Sequence, residues 1–184
     1  MLVLAYLCIR FFFDMNKITP VLLLLLIVGF SLKLSANTPT ASRPTPGITW
    51  ISWETAVKLS KKKKKKVLVD VYTGWCYWCK VMDQKTFPDE TLAKYISEHF
   101  YAVKLDAEQK TPILFNKKKF KYIAQGSKGI HELAYSLLDG KLGFPALVYM
   151  NESFQRINVS PGYKTPDVLL KELEAVVRED YKKK

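Results

Sequence analysis

The chain has 184 residues, 48% hydrophobic and 25% charged, which is enough apolar mass for one packed domain but not for several. Its formal charge is +12, yet the lysines at 61–66, 117–119 and 182–184 account for the whole excess, so the rest of the chain is neutral. Charge gathered in this way fits solvated helix ends, loops and tails. With no nucleic-acid motif present it argues against nucleic-acid binding, and a weak contact with an anionic membrane surface is the functional alternative.

The first predicted element is an uncharged apolar stretch, Ile18 to Leu32, centred on Leu22–Leu26. It falls short of the roughly 20 residues that cross a bilayer as a helix. It fits the apolar region of a signal peptide, with Met15-Asn16-Lys17 as a short positive start and Leu34-Ser35-Ala36 as a cleavage site. Residues 1–36 are therefore read as a signal peptide or an uncleaved N-terminal membrane anchor. Residues 37–47 are polar, contain three prolines and read as a linker. The domain proper is 48–184.

Within the domain, Ser52 is placed to cap a helix over Trp53–Leu59. Val67 to Tyr72 is an apolar strand. A helix runs from Cys76 to about Thr86 and restarts after Pro88, where Leu92, Tyr95, Ile96 and Phe100 keep helical spacing. Tyr101 to Leu105 alternates as a strand. The spacing in 109–141 predicts two helices, around 112–124 and 129–138, with Gly126 and Gly129 between them. Ala146 to Met150 is a strand, and Phe154 to Val159 pairs back on it as a hairpin. Thr165-Pro166 starts a last helix, Val168 to Val177. Strands alternating with helices imply an α/β domain with a parallel core, to which the hairpin adds an antiparallel edge.

The chemistry is concentrated in Trp75-Cys76-Tyr77-Trp78-Cys79-Lys80. Two cysteines three apart, where a strand gives way to a helix, are placed for thiol–disulfide exchange. The positive helix N-terminus favours a thiolate over a thiol. Only Cys8 lies elsewhere, in the N-terminal segment. A structural disulfide usually closes a longer loop. A zinc site would need two more ligands, with only His99 and His131 on offer, and a c-type haem would need histidine where Lys80 stands. No metal and no cofactor are expected.

These residues resemble the thioredoxin superfamily over the whole of 48–184. The W-C-x-x-C-K form of residues 75–80, an acid at Asp70 six residues before Cys76, and Gly143-Phe144-Pro145 just ahead of a strand all match it. Read from Thr73, the motif is most similar to exported bacterial thioredoxin-like proteins and to the C-terminal domain of thiol–disulfide interchange reductases. The resemblance implies a thioredoxin-like fold, a central mixed sheet with flanking helices and an extra helical insertion before the cis-Pro strand.

For the site, the resemblance implies a redox-active Cys76–Cys79 disulfide. Cys76 would be the attacking thiolate, Cys79 the resolving thiol and Asp70 a proton acceptor and donor. Trp75, Phe144 and a cis Pro145 would contact the substrate. Lys104 either tunes the acid or lies on the surface, and His131 and Glu132 open a helix. The implied function is an exported protein-disulfide oxidoreductase, periplasmic or at the outer face of the membrane. It would reduce or isomerise protein disulfides and draw electrons from a membrane donor. A binding or chaperone module, or a thiol peroxidase, is the alternative. Two departures stand out: Tyr77-Trp78 replaces the Gly-Pro of thioredoxin, and 66 residues separate Cys79 from Pro145.

Overall fold

The computed structural model describes residues 47–126 and 128–183. Cys8, the expected signal or anchor segment and nearly all of the expected linker lie outside the described residues. Among the described residues, no helix is long and apolar enough to cross a membrane.

The chain builds α1 (Trp53–Ser60), β1 (Lys66–Tyr72), α2 (Tyr77–Lys85), α3 (Glu90–His99) and β2 (Phe100–Asp106). Two short hairpins follow: β3 (Ile113–Phe115) with β4 (Lys118–Phe120), then β5 (Tyr122–Gln125) with β6 (Lys128–His131). The chain continues with α4 (Glu132–Leu137), β7 (Ala146–Met150), β8 (Arg156–Pro161) and α5 (Pro166–Val177), and a 3-10 turn, Asp180–Lys182, comes last.

The main sheet has the order β2-β1-β7-β8. β1 runs parallel to β2 and antiparallel to β7, and β8 is antiparallel to β7. Ile51 adds a parallel bridge to Val103 on the outer side of β2. This is the α/β thioredoxin-like architecture with a central mixed sheet that the resemblance implied, but the expected parallel core is reduced to the β1–β2 pair, because β7 joins β1 antiparallel and the antiparallel part begins inside the sheet.

β1 reads as a continuous apolar run because helices cover both of its faces. Val67, Val69 and Val71 pack with Trp53, Leu133 and Leu137 on one side. Leu68 packs with Met82, Leu92, Ile96 and Leu169 on the other, the side of α2, α3 and α5. Asp70 has the same parity as Leu68, so a carboxylate enters the α2 face of an otherwise apolar strand.

The insertion departs from the helices expected at 112–124 and 129–138. The first is two hairpins. Asn116 and Lys117 both take positive φ, 48° and 64°, the backbone of a two-residue hairpin turn. Ile113 and Phe120 face each other across it, both buried, whereas Leu114 is exposed. That two-residue alternation had been read as helical spacing. The second hairpin turns at Gly126, φ 60°. Its Gly129 lies under the Tyr122 ring, where a Cβ would stand 2.4 Å from ring atoms. The second expected helix shrinks to Glu132–Leu137, because His131 ends β6 and caps α4, its Nδ1 accepting from the Leu133 N–H at 3.3 Å. Strand β8 also begins at Arg156, two residues later than expected, because Phe154 takes φ 59° in the turn.

Candidate active site

β1 ends at Tyr72, and Thr73-Gly74-Trp75 carries the chain over the sheet edge to Cys76. The Cys76 N–H donates to the Thr73 carbonyl at 3.1 Å, which fixes the turn. Cys76 is the N-cap of α2, and its Sγ accepts from the Cys79 N–H at 3.1 Å. The two cysteines are joined as a disulfide, 4% and 3% exposed. Beside them stand Trp75, Tyr77 and Trp78, exposed by 66%, 69% and 52%. These rings are surface, which rules out core packing as the role of Trp75.

The rings fall into two groups on the surface. Trp75 meets Phe144 edge-on at 6.0 Å, and Trp78 lies 5.3 Å from Tyr77 and 5.4 Å from Tyr163. The Trp75 indole N–H donates to Glu108 Oε1 at 3.0 Å, which pins the ring to the segment after β2. The Phe144-Pro145 peptide is cis, Pro145 is buried, and its carbonyl accepts from the Gly162 N–H at 2.8 Å.

Asp70 is buried on the α2 face. Its Oδ2 lies 3.3 Å from Lys104 Nζ, and its Oδ1 has no hydrogen-bond partner among the described residues. Burial pushes the carboxyl up to about 6, against the pull of Lys104 and with a further push from Asp83. Lys104 also contacts Asp83 Oδ1 on α2. Its Nζ lies 4.9 Å from the centre of the Tyr72 ring and 5.3 Å from that of Trp50. Burial lowers its proton affinity, but the Asp83 and Asp70 carboxylates more than offset this and raise it. Of the two readings of Lys104, the structure places it against the acid.

A cleft of about 320 Å³ opens beside Trp75 and Phe144, and neither cysteine lines it. It is also lined by Gln125, Lys128 and Ile130 of the second hairpin, and by Tyr135 and Leu142. A larger hollow, about 520 Å³ between β8 and α5, is lined by none of these residues. Among the described residues, no group of three His, Cys, Asp or Glu side chains could hold a metal ion.

Sequence reasoning gathered Cys76, Cys79, Asp70, Trp75, Phe144 and Pro145 in advance. It passed over Asp83, Glu108, Tyr163, Tyr135 and Leu142. Asp83 carries a readable signal, since seven residues after Cys76 is two helical turns along α2. Glu108 and the cleft residues depend on tertiary folding of the insertion and have none.

The model of the DsbH thioredoxin family, described as a protein of unknown function, DUF255, matches residues 41–180. The chain belongs to this family. One curated relative and two solved structures resemble it. An uncharacterized Caenorhabditis elegans protein, B0495.5, is 31% identical over 67 residues, 36% of this chain and 9% of its own length. The chain thus matches less than a tenth of that relative. A solved DsbH oxidoreductase superposes with a TM-score of 0.52 at 17% identity, covering 78% of this chain and 95% of its own. A putative disulphide-isomerase from Bacteroides thetaiotaomicron gives 0.51 at 24% identity, covering 72% and 95%. At these identities the likeness is one of fold. The thiol–disulfide chemistry of this DsbH family member rests on its own Cys76–Cys79 pair.

Proposed function

We propose that the protein is an exported protein-disulfide oxidoreductase that reduces or isomerises disulfides through Cys76 and Cys79. The observation that carries this reading is the Cys79 N–H directed at Cys76 Sγ from the first turn of α2. In the reduced protein that N–H and the helix N-terminus favour negative charge on Cys76.

The Cys76 thiolate attacks one sulfur of a substrate disulfide and forms a mixed disulfide, and the other substrate sulfur leaves as a thiolate. Cys79 then loses its proton and attacks Cys76. This forms the Cys76–Cys79 bond and releases the second substrate thiol. Asp70, raised into the neutral range, takes the Cys79 proton on the way forward and returns it on the way back. Isomerisation is the same first step followed by attack from another substrate thiol. Trp75 and Phe144 receive the partner chain, which continues into the cleft beside them. Export is supported by the composition of residues 1–36, and in that compartment a membrane donor would return electrons to the Cys76–Cys79 disulfide.

The test is insulin reduction with dithiothreitol as electron source. The wild-type chain precipitates insulin B chain well ahead of dithiothreitol alone, and Cys76→Ser falls to the uncatalysed rate. Full activity in Cys76→Ser, or none in the wild type, overturns the reading. The second result would favour a binding module on the same fold.

A further inference from the structure

Among the described residues, the lysine runs lie toward one end of the fold. β1 and β2 start side by side, Lys66 opposite Phe100, and finish together, Tyr72 opposite Asp106, at the edge that leads to Cys76. Lys61–Lys65, ahead of β1, therefore sit at the end of the sheet remote from the disulfide. A seven-residue strand, about 20 Å, separates the two ends. Buried Lys66 binds Glu152 at 3.0 Å and Glu179 at 3.1 Å. These pairs bring the 3-10 turn, with Lys182 and Lys183, to the same end. The β3–β4 tip, carrying Lys117–Lys119, follows Phe115. Its ring lies 5.6 Å from that of Phe154, in the turn beyond Met150, and Met150 pairs with Val67 near the start of β1.

Of the acids at this end, Glu152, Glu179 and Asp180 are engaged by lysines, and Glu98 lies near Lys63–Lys66 without a salt bridge among the described residues. Glu179 and Asp180 also pair with Lys182 and Lys183, at 2.6 Å and 2.9 Å. Among the described residues, Lys61 to Lys64 are exposed and pair with no carboxylate. The backbone enters the domain here too. Ile51 lies parallel to Val103 and its N–H donates to Ala102. Ile48 and Trp50 pack on one core and Ile51 on the other, as in an extended segment. Gly47 therefore lies at the Phe100 end, and the apolar run Ile18–Leu32 precedes it in the sequence.

We infer that this lysine end is a docking surface for an anionic lipid bilayer, which holds the disulfide end outward. Headgroup phosphates meet the unpaired cations. The disulfide, about two Debye lengths away at physiological salt, stays clear of the membrane field. The inference is independent of the redox reading, because it uses none of the site residues.

The test measures partitioning of the full chain into phosphatidylcholine vesicles with and without phosphatidylglycerol. The ratio of the two cancels any insertion of the apolar run. At about fivefold per lysine near the surface, Lys61→Gln/Lys62→Gln/Lys64→Gln lowers that ratio at least tenfold. Lys110→Gln/Lys141→Gln/Lys164→Gln removes equal charge from the disulfide end and lowers it less than threefold. Raising salt abolishes the wild-type preference. The inference is overturned if the wild type shows no preference, if both triple variants lose it equally, or if neither does. It is also overturned if the lysine end retains duplex DNA more tightly than anionic vesicles. Thermal melts check that both variants fold; five of the six lysines are exposed, and Lys164, half-buried, gives up its bonds to the Pro161 and Gly162 carbonyls.

Discussion

Lys104 stands directly opposite Asp70 in the parallel register of β1 and β2, and its Nζ lies 3.3 Å from the Asp70 Oδ2. The cation does not neutralise the acid outright, because it also holds Asp83 at the surface of α2. Burial therefore wins, and the Asp70 carboxyl rises from 3.8 to about 6. A group in that range can change protonation state at neutral pH, which the resolving step of a dithiol requires.

The raised acid has a cost in stability whose sign is fixed. Its folded value lies above its unfolded value, so its contribution is complete below about pH 4 and is lost as pH rises through about 6. At pH 8 the buried carboxylate costs about 2–3 kcal/mol. Asp70→Asn is thus expected to melt several degrees above wild type at pH 8 and level with it at pH 4. Its insulin reduction falls tenfold or more. Melting curves at the two pH values check the first expectation, and an Asn variant no more stable at pH 8 refutes it.

Asp83 and Lys104 act on Asp70 in opposite directions. Removing the Asp83 charge takes away a push and leaves Lys104 to Asp70 alone, so Asp83→Asn lowers the Asp70 proton affinity. Lys104→Met removes the pull and raises it. In the pH profile of kcat/KM for insulin reduction, the acidic limb moves to lower pH in Asp83→Asn and to higher pH in Lys104→Met. Asp70→Asn has no such limb. Identical limbs in all three variants would detach Asp70 from turnover.

The parts of this molecule that were legible in the sequence depend on local periodicity or on fixed spacing. Val67-Leu68-Val69 announces a strand covered on both faces, and Cys76, Cys79 and Asp70 lie on one strand–turn–helix. Whether Lys104 pairs with Asp70 or lies free on the surface could not be chosen from sequence, since the choice depends on the register of two strands 34 residues apart. The insertion misled because Ile113, Leu114, Phe120 and Ile123 suit either a helix or two short hairpins. The choice is made by the positive φ of Asn116 and Lys117 and by the Gly129 contact with Tyr122. Both are tertiary facts about where the chain must turn.

Leu142 is half exposed and lines the same cleft as Trp75 and Phe144. Leu142→Ser removes apolar area from the proposed seat of the partner chain while leaving the disulfide and Asp70 untouched. The expected result is a three- to tenfold rise in KM for a protein disulfide, with kcat unchanged, equivalent to about 1 kcal/mol of lost contact. Reduction of a small aromatic disulfide proceeds as in wild type. Steady-state kinetics with both substrates decides, and an equal loss on both would place Leu142 outside partner recognition.

Gly129 allows the second hairpin to close. A Cβ there would stand 2.4 Å from the Tyr122 ring and 2.5 Å from the Ile123 carbonyl oxygen. The second contact is with backbone and cannot be relieved by a side-chain rotation. Gly129→Ala is expected to cost about 1–3 kcal/mol and to open residues 122–131 to hydrogen exchange ahead of the main sheet. Uniform protection of these amides in the variant would contradict the close contact.

Cys79→Ala is expected to capture substrates. The first attack needs only Cys76, whose sulfur receives the Cys79 backbone N–H at the start of α2, a donor that alanine preserves. Release needs a thiol at high effective concentration, which Cys79 supplies from the first turn of the same helix. Without it, only external thiols can resolve the mixed disulfide, and these compete poorly with an intramolecular attack. Adducts on Cys76 should therefore appear on non-reducing gels after exposure of Cys79→Ala to disulfide-containing proteins and vanish with reductant. The Cys76→Ser/Cys79→Ala double variant should form none. If Cys79→Ala accumulates no adducts while Cys76→Ala does, Cys79 attacks first. The roles assigned to the two sulfurs would then be reversed, and the N–H directed at Cys76 would serve the resolving thiol.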